Sequence, residues 1–204
     1  MSSSPDSTVP LLLLVHQLTG GPDAQAVIQH LDFAWPAGLS WICGDEGSGK
    51  TTLIRLLAGD LQPLSGQVIR PAGGVFWADL QGAEHAAAVV QDCWQQYRSQ
   101  YPHWDAQLLH ELAEELDMAQ HRNKPLYMLS TGSRRKVGLL AALASGASVT
   151  LLDQPFAALD QRSVLTIKAF LEEASLSPTR AWIVADYEAP NDLPLARVLH
   201  LPQA

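Results

Sequence analysis

The stretch Gly44-Asp45-Glu46-Gly47-Ser48-Gly49-Lys50-Thr51 decides how this sequence is interpreted. It follows the apolar run 39–43 and precedes residues 50–58, whose apolar positions have helical spacing and end at Gly59. In such a glycine-rich turn the backbone N–H groups point inward, and the positive end of the next helix adds to their field. The sequence therefore predicts a phosphate-binding loop between a strand and a helix.

Within this loop the residue types suit a magnesium-bound phosphate ligand. Lys50 is expected to neutralise the outer phosphates, and the Thr51 hydroxyl is expected to bind Mg²⁺. Thr52 stands where a dinucleotide-binding loop needs a third glycine or alanine, so that class of site is excluded. We expect the ligand to contact the whole segment: Gly44, Asp45, Glu46, Gly47, Ser48, Gly49, Lys50, Thr51 and Thr52.

A second signal is the apolar run 148–152, which ends in Asp153. Phosphate-loop proteins hold Mg²⁺ with an aspartate in this position. By itself the pattern is weak, since an aspartate after a buried strand often only caps a turn. Together with the loop, it predicts a magnesium site formed by Thr51 and Asp153.

Length, composition and charge limit the classes of protein. The chain has 204 residues and 47% hydrophobic residues, which predicts one domain spanning 1–204. Its net charge of −8 excludes nucleic acid as a partner, because non-specific binding to nucleic acid needs clustered positive charge. Residues 1–10 contain no Lys or Arg, and the apolar run 11–15 is shorter than a signal or membrane segment. We expect a cytoplasmic protein that reaches the membrane only through a partner chain.

The pattern of apolar residues predicts an α/β fold. Strands are expected at 11–16, 27–33, 39–43, 67–70, 75–78, 148–152, 181–185 and 197–201. Helices are expected at 50–58, at 105–118, from a Ser130 cap to Gly146, and behind an Asp160 cap through Leu171. Residues 83–128 suggest nearly continuous helix. The prediction is a mostly parallel sheet with a small antiparallel β region and a helical subdomain at about 83–146.

Three further motifs make the resemblance specific. Leu129-Ser130-Thr131-Gly132-Ser133 resembles the L-S-G-G-Q signature of ATP-binding cassette (ABC) proteins, and residues 156–160 resemble the D-loop of that family. Residues 56–66 resemble a third family motif. The resemblance implies that ATP and Mg²⁺ are the ligands and that two cassettes pair head to tail. It also implies that Ser130 and Gly132 touch the ATP held by the partner cassette.

The sequence departs from the ABC pattern at Gln154, at Asp186 and in the segment 18–29. Gln154 stands where the family usually has the glutamate that polarises the attacking water, and Asp186 stands where it has a histidine that contacts the γ-phosphate. Either Gln81 or Asp79 occupies the position of the glutamine that reaches Mg²⁺ and the water. Residues 18–29 include no aromatic ring to stack on adenine. Together these features predict binding of Mg-ATP with doubtful hydrolysis.

Two groups of residues each allow two interpretations. The basic cluster 134–136 either adds positive potential to the signature helix or forms a solvated face. Trp94, Tyr97, Tyr101 and Trp104 either grip a helix of a membrane chain or close the core of the helical segment. Phe33 and Trp35 are expected to pack in the small β region.

The function that we expect is an ATP-binding subunit that drives or gates an ABC transporter, working with a second cassette and a transmembrane permease. The short helical segment resembles small single-cassette bacterial subunits, haem-exporter ATPases among them. The alternatives are a non-hydrolysing cassette with a regulatory or structural role and the degenerate half of a heterodimeric pair. Chromosome-associated ABC proteins are excluded, because they need a long coiled coil between Lys50 and Leu129.

Overall fold

A computed structural model describes residues 10–202 of the chain. The expectation about export rests mainly on residues 1–9, which lie outside this part. Eight strands are present in the described part: β1 Leu11–Gly20, β2 Ile28–Pro36, β3 Gly38–Cys43, β4 Ser65–Ile69, β5 Val75–Phe76, β6 Val149–Asp153, β7 Ala181–Asp186 and β8 Arg197–His200. All eight predicted strands are therefore confirmed, with their ends displaced.

The larger sheet is parallel throughout and has the order β5-β6-β7-β3-β8. Strands β6 and β7 are buried along almost their whole length, as their continuous apolar sequence predicts. Strand β5 is shorter than predicted because only Val75 and Phe76 pair with β6. The chain leaves the sheet at Trp77, which lines a crevice beside it.

The smaller sheet is antiparallel, with the order β2-β1-β4, as expected. Strand β1 runs four residues beyond its predicted end at His16, through an irregularity at Gln17, whose φ is 47°. Trp35 is fully buried, and its ring lies 4.8 Å from that of Phe33. The expectation that these two rings pack in the small sheet is confirmed.

Five α-helices complete the described part: α1 Lys50–Ala58, α2 Val90–Gln100, α3 Ala106–Glu115, α4 Thr131–Ala144 and α5 Gln161–Ala174. The predicted caps of α4 and α5 are confirmed, since the side chains of Ser130 and Asp160 accept hydrogen bonds from Ser133 and Ser163. The prediction of nearly continuous helix over 83–128 is wrong. Turns and single 3₁₀ turns separate α2 and α3 from their neighbours.

Apolar side chains form two clusters, one on each face of the parallel sheet. One joins the sheet to helices α2 to α5 and includes Trp41, Val137 and Trp182. The other joins the sheet to α1 and the antiparallel sheet and includes Trp35 and Leu53. Packing on both faces fixes the strand ends that carry the candidate site.

The segment that contains α2 and α3 is closed at its base by the chain itself. Val89 and Pro125 form an isolated antiparallel bridge. Main-chain hydrogen bonds flank this bridge, among them Leu126 N to Ala88 O at 2.9 Å and Gln91 N to Arg122 O at 2.9 Å. The entry and exit of the segment are therefore held side by side.

Candidate functional site

The predicted site residues meet at one edge of the parallel sheet. Strands β6, β7 and β3 are neighbours, and their pairing places Cys43 beside Asp186 and Asp153 beside Ala185. The phosphate-binding loop starts immediately after Cys43. Because parallel strands bring their carboxyl ends to the same edge, the loop, Asp153 and Asp186 are brought together, as ligand sites in α/β proteins commonly are.

Gly49 controls the shape of the loop. Its φ is 94°, in the left-handed region, and a β-carbon there would lie 2.8 Å from Cγ1 of Val27. Any other residue would therefore be strained and would collide with the side chain that covers the loop. The loop borders a pocket of about 300 Å³ lined by Val27, Glu46, Gly47, Gly49, Lys50, Thr51, Thr52 and Gln154.

The ammonium group of Lys50 lies inside the loop. Its side chain is buried, and Nζ donates hydrogen bonds to the carbonyl oxygens of Gly44 at 2.6 Å and Asp45 at 2.7 Å. Nζ also lies 4.7 Å from the centre of the Tyr187 ring. A positive charge at the mouth of this pocket is placed to attract an anionic ligand.

Thr51 and Asp153 are joined across the loop by a hydrogen bond of 2.6 Å from Oγ1 to Oδ2. Burial raises the pKa of Asp153, while the bond from Thr51 and the charges of Arg135 and Lys50 oppose that rise. Within the described residues, Oδ1 of Asp153 is buried and has no hydrogen-bond partner. Hydroxyl and carboxylate oxygens are the ligands that Mg²⁺ prefers, so these two residues fit the ion.

Gln154 directly follows β6, and Asp186 ends β7, the neighbour of β3. Gln154 lines the pocket directly and has a φ of 45°, an unusual value for a residue other than glycine. Asp186 is the last residue of β7, and its Oδ1 accepts a hydrogen bond of 2.8 Å from Tyr187 N. Both substitutions therefore lie where the sequence motifs predict them, while their effect on catalysis stays a prediction.

Asp79 and Gln81 line a neighbouring crevice of about 220 Å³ between the end of β5, helix α4 and the end of β6. Asp153 and Gln154 line the same crevice. The carboxylate of Asp79 accepts a hydrogen bond of 2.9 Å from Gln81 N, and its charge helps to raise the pKa of Asp153. Both candidates for the magnesium-reaching position thus lie near Asp153, and the choice between them stays open.

The signature residues contact a different part of the chain. Ser130 caps α4, with its hydroxyl accepting a hydrogen bond of 3.1 Å from Ser133 N. A β-carbon on Gly132 would lie 2.3 Å from the carbonyl oxygen of Ala158 in the D-loop. The pocket at the loop is lined by neither Ser130 nor Gly132, within the part of the chain that the structure describes. The geometry therefore agrees with a signature that serves a second cassette.

The interpretation of the basic cluster as a solvated face is wrong, whereas its effect on the potential of the signature helix stays a prediction. Arg134 donates hydrogen bonds to the carbonyls of Leu80 and Gly82, and Arg135 to those of Asp153 and Gln154. The side chains of both arginines are partly buried.

Lys136, the third basic residue, is buried and bonds to Asp160 at 2.9 Å. Consecutive residues of a helix point in different directions, so these three side chains can reach partners on different neighbouring segments. The whole cluster is engaged within the chain instead of facing solvent.

The four aromatic residues of the helical segment divide between the two interpretations, a closed core and a groove for a membrane chain. Trp94 is buried and donates from Nε1 to Val137 O at 3.0 Å, and the rings of Tyr97 and Tyr101 lie about 5 Å from that of Phe76. The rings therefore close the core. Trp94 and Trp104 also line a shallow groove between α2 and α3, together with Gln91, Gln95, Arg98, Ala106, Leu109, His110 and Arg122.

Sequence reasoning missed three residues at the site: Val27, Arg135 and Tyr187. Val27 lies within the segment that was searched for an aromatic ring, and its side chain covers Gly49 instead. Tyr187 follows Asp186 directly, so its nearness to the loop could have been inferred from the parallel strand order. For Arg135, only the neighbouring signature motif offered a signal, because its partners are distant in sequence.

Comparison with known proteins identifies the family. The model of the ABC transporter family matches residues 29–157, more than half of the chain. This chain belongs to the ABC transporter family, as one of its ATP-binding subunits. Proteins of this family bind ATP, normally with Mg²⁺, and their cassettes typically dimerise and work with a membrane partner.

Curated relatives narrow the similarity to small single-cassette subunits. The chain is 31% identical over 176 residues to the cytochrome c biogenesis ATP-binding export protein CcmA of Idiomarina loihiensis, covering 79% of each chain. It is 34% identical over 160 residues to CcmA of Rhodobacter capsulatus, covering 75% of this chain and 71% of the relative. The predicted resemblance to small bacterial cassettes is thereby confirmed.

Solved structures confirm the fold. An ATP-binding subunit of an ABC transporter superposes with a TM-score of 0.73 at 20% identity, covering 86% of this chain and 79% of the other. A nucleotide-free ATP-binding cassette superposes with a TM-score of 0.64 at 16% identity, covering 88% and 82%. In the part of the chain that the structure describes, no helix has the length and apolar character needed to cross a membrane.

Proposed function

We propose that this chain binds Mg-ATP at the loop of residues 44–52 and couples that binding to a membrane partner in an export system. The observation that carries the proposal is the hydrogen bond of 2.6 Å between Thr51 and Asp153, beside a buried carboxylate oxygen that has no partner among the described residues. When bound, Mg²⁺ would balance the phosphate charge. Thr51 and Asp153 would hold the ion, and Lys50 would turn from the loop carbonyls toward the phosphates.

We further propose that this chain hydrolyses ATP slowly by itself. An amide at Gln154 cannot accept a proton near neutral pH, so no general base acts from that position. A carboxylate at Asp186 would repel the γ-phosphate instead of donating to it. Both groups lie beside the loop, whereas Lys50, Thr51 and Asp153 keep the residue types that binding requires.

The relatives suggest the kind of transport system in which this chain works. Curated relatives of similar size are ATP-binding export proteins of cytochrome c biogenesis, and we propose a related export role for this chain. The groove beside Trp104 is where we place the membrane partner, because it combines the half-buried ring of Trp104 with Arg98 and Arg122.

Co-expression with the membrane protein encoded by a neighbouring gene tests this role. The full chain should co-purify with that protein in detergent. Trp104→Ala should reduce recovery, while Leu165→Ala, which removes an exposed apolar side chain on α5, should not. Equal loss in both variants, or no co-purification of the unaltered chain, would contradict the placement of the partner.

A second candidate is the degenerate half of a heterodimeric pair. The observation that favours it is a capped signature with Ser130 and Gly132 in place, next to a changed pair at Gln154 and Asp186. Mixing the chain with a cassette that carries the usual glutamate and histidine should then accelerate ATP use. Ser130→Arg in this chain should abolish that acceleration, because the signature would act on the ATP of the other cassette.

A further inference from the structure

Arg135 joins the signature helix to the strand end that carries Asp153 and Gln154. From the second turn of α4, its NH1 group donates to Gln154 O at 2.8 Å and to Asp153 O at 3.3 Å. A charged donor shared by two carbonyls is a stronger restraint than an ordinary neutral hydrogen bond. The guanidinium therefore holds the main chain of both residues.

The main chain at this position needs such a restraint. Gln154 has a φ of 45°, and a residue other than glycine in the left-handed region costs of order 1–3 kcal/mol. Conformations of this kind persist only where their surroundings fix them. Three hydrogen bonds do so here. Gln154 N donates to Ala185 O at 2.8 Å. Gln154 O accepts from Arg135 at 2.8 Å and from Ala157 N at 3.1 Å.

The direction in which Asp153 presents its carboxylate depends on the same peptide groups. Oδ2 accepts from Thr51, and Oδ1 is buried without a hydrogen-bond partner among residues 10–202. Groups that orient a metal-binding carboxylate from behind affect metal affinity although they do not touch the metal.

We propose that Arg135 is a positioning residue: by bonding the carbonyls of Asp153 and Gln154, it fixes the geometry through which Thr51 and Asp153 hold Mg²⁺ with the nucleotide. This role rests on the proposed binding of Mg-ATP. It assigns the middle residue of the basic cluster to this chain's own nucleotide, whereas the signature that precedes it on α4 serves the second cassette. One helix would then serve both nucleotides of the pair.

Arg70 provides a matched control. It also donates partly buried hydrogen bonds to two carbonyls, those of Leu56 and Leu57 at the end of α1 opposite to the loop. Removing it should cost stability without touching the strand end at Asp153 or the residues 79–81. A purely structural role for Arg135 would make the two variants alike.

The experiment measures the affinity of a fluorescent ATP analogue for the full chain, with Mg²⁺ and with EDTA. The gain is the ratio of the affinity measured with Mg²⁺ to the affinity measured with EDTA. We expect Arg135→Met to reduce this gain by roughly tenfold, the lower end of the usual effect of residues that orient metal ligands. Arg135→Lys, which keeps the charge and one donor, should restore part of the gain. Arg70→Met should leave the gain unchanged.

Each result decides the matter. If Arg135→Met keeps the full gain from Mg²⁺, or if Arg70→Met loses as much, the positioning role is wrong, even when either variant melts at a lower temperature. Failure of the unaltered chain to bind the analogue overturns the proposed function itself, and the role of Arg135 with it. Should Arg135→Met not fold, the comparison between Arg135→Lys and Arg70→Lys gives the same decision.

Discussion

At one edge of the parallel sheet, the loop after β3 and the ends of β6 and β7 lie side by side. The loop keeps every residue type that binding a magnesium nucleotide requires, with Lys50 inside it and Thr51 bonded to Asp153. The neighbouring positions Gln154 and Asp186 have changed chemical character. Under the proposed function, the difference teaches that binding and bond cleavage depend on separate residues, so one could be lost while the other is kept.

Restoring the usual family residues at positions 154 and 186 should produce the largest effect, an increase in the rate of ATP hydrolysis. Gln154→Glu combined with Asp186→His should raise the turnover number roughly 10²- to 10⁴-fold, the usual contribution of a positioned general base, and should change ATP affinity little. Phosphate release under saturating Mg-ATP measures this. Each single change should recover less than the pair.

The control for this gain is Lys50→Ala in the doubly altered chain, which should remove the activity again. If the unaltered protein already turns over at the roughly 1–100 s⁻¹ of competent phosphoryl-transfer enzymes, then another residue supplies the base. The contrast between the loop and the strand ends would then disappear.

Removing the loop lysine should produce the next largest effect. Lys50→Ala should weaken Mg-ATP binding by about 2–3 kcal/mol, or roughly 30- to 150-fold, because it removes a charged donor to the phosphates. Thermal denaturation with increasing Mg-ATP measures the loss, since a ligand that binds only the folded state stabilises it. Lys168→Ala, which breaks an exposed ion pair with Asp192, should leave the shift intact.

An aromatic ring in place of Val27 should strengthen nucleotide binding at the loop and so sharpen the contrast with the strand ends. Val27 borders the nucleotide pocket and is 40% exposed, so a larger side chain has room toward solvent. Val27→Tyr should tighten ATP binding by about 1–2 kcal/mol, or roughly five- to thirtyfold, if its ring stacks on adenine. Calorimetric titration with ATP and with inorganic triphosphate separates the base from the phosphates; an equal gain for both would mean that no stacking occurs.

The smallest effect should come from the signature cap. Ser130→Ala and Asp105→Ala each remove an N-cap. Each should therefore lower the free energy of unfolding, measured by urea denaturation, by about 1 kcal/mol. Only Ser130→Ala should also weaken the dimer that ATP promotes, measured by sedimentation with Mg-ATP. Identical dimer constants for the two variants would show that Ser130 is a cap and nothing more.

Local patterns sufficed to predict much of the fold. The strands that became β6 and β7 are continuous apolar runs, and α1 begins and ends at its predicted residues. The bounds of α2 could not be predicted, because no side chain caps its first turn after Val89. The pairing of β3 with β7 joins residues far apart in sequence, so no local pattern could predict it.

The loop residues and Asp153 could be predicted because their function requires fixed residue types at fixed spacing. The bonds of Arg135 could not, because its carbonyl partners are 18 and 19 residues away and any residue can supply a carbonyl. A basic cluster seen in sequence therefore says little about where its charges point.

The closed base of the helical segment has a consequence in evolutionary terms. Because Val89 and Pro125 form a bridge and the main chain on both sides of them is hydrogen bonded, the chain enters and leaves the segment at one place. Trp94 and Tyr101 anchor the segment to α4 and β5 by hydrogen bonds. Insertions or deletions in exposed turns away from these anchors should leave the strand ends in place. Descendants of this chain could therefore change the surface they offer to other proteins while inheriting the nucleotide site intact.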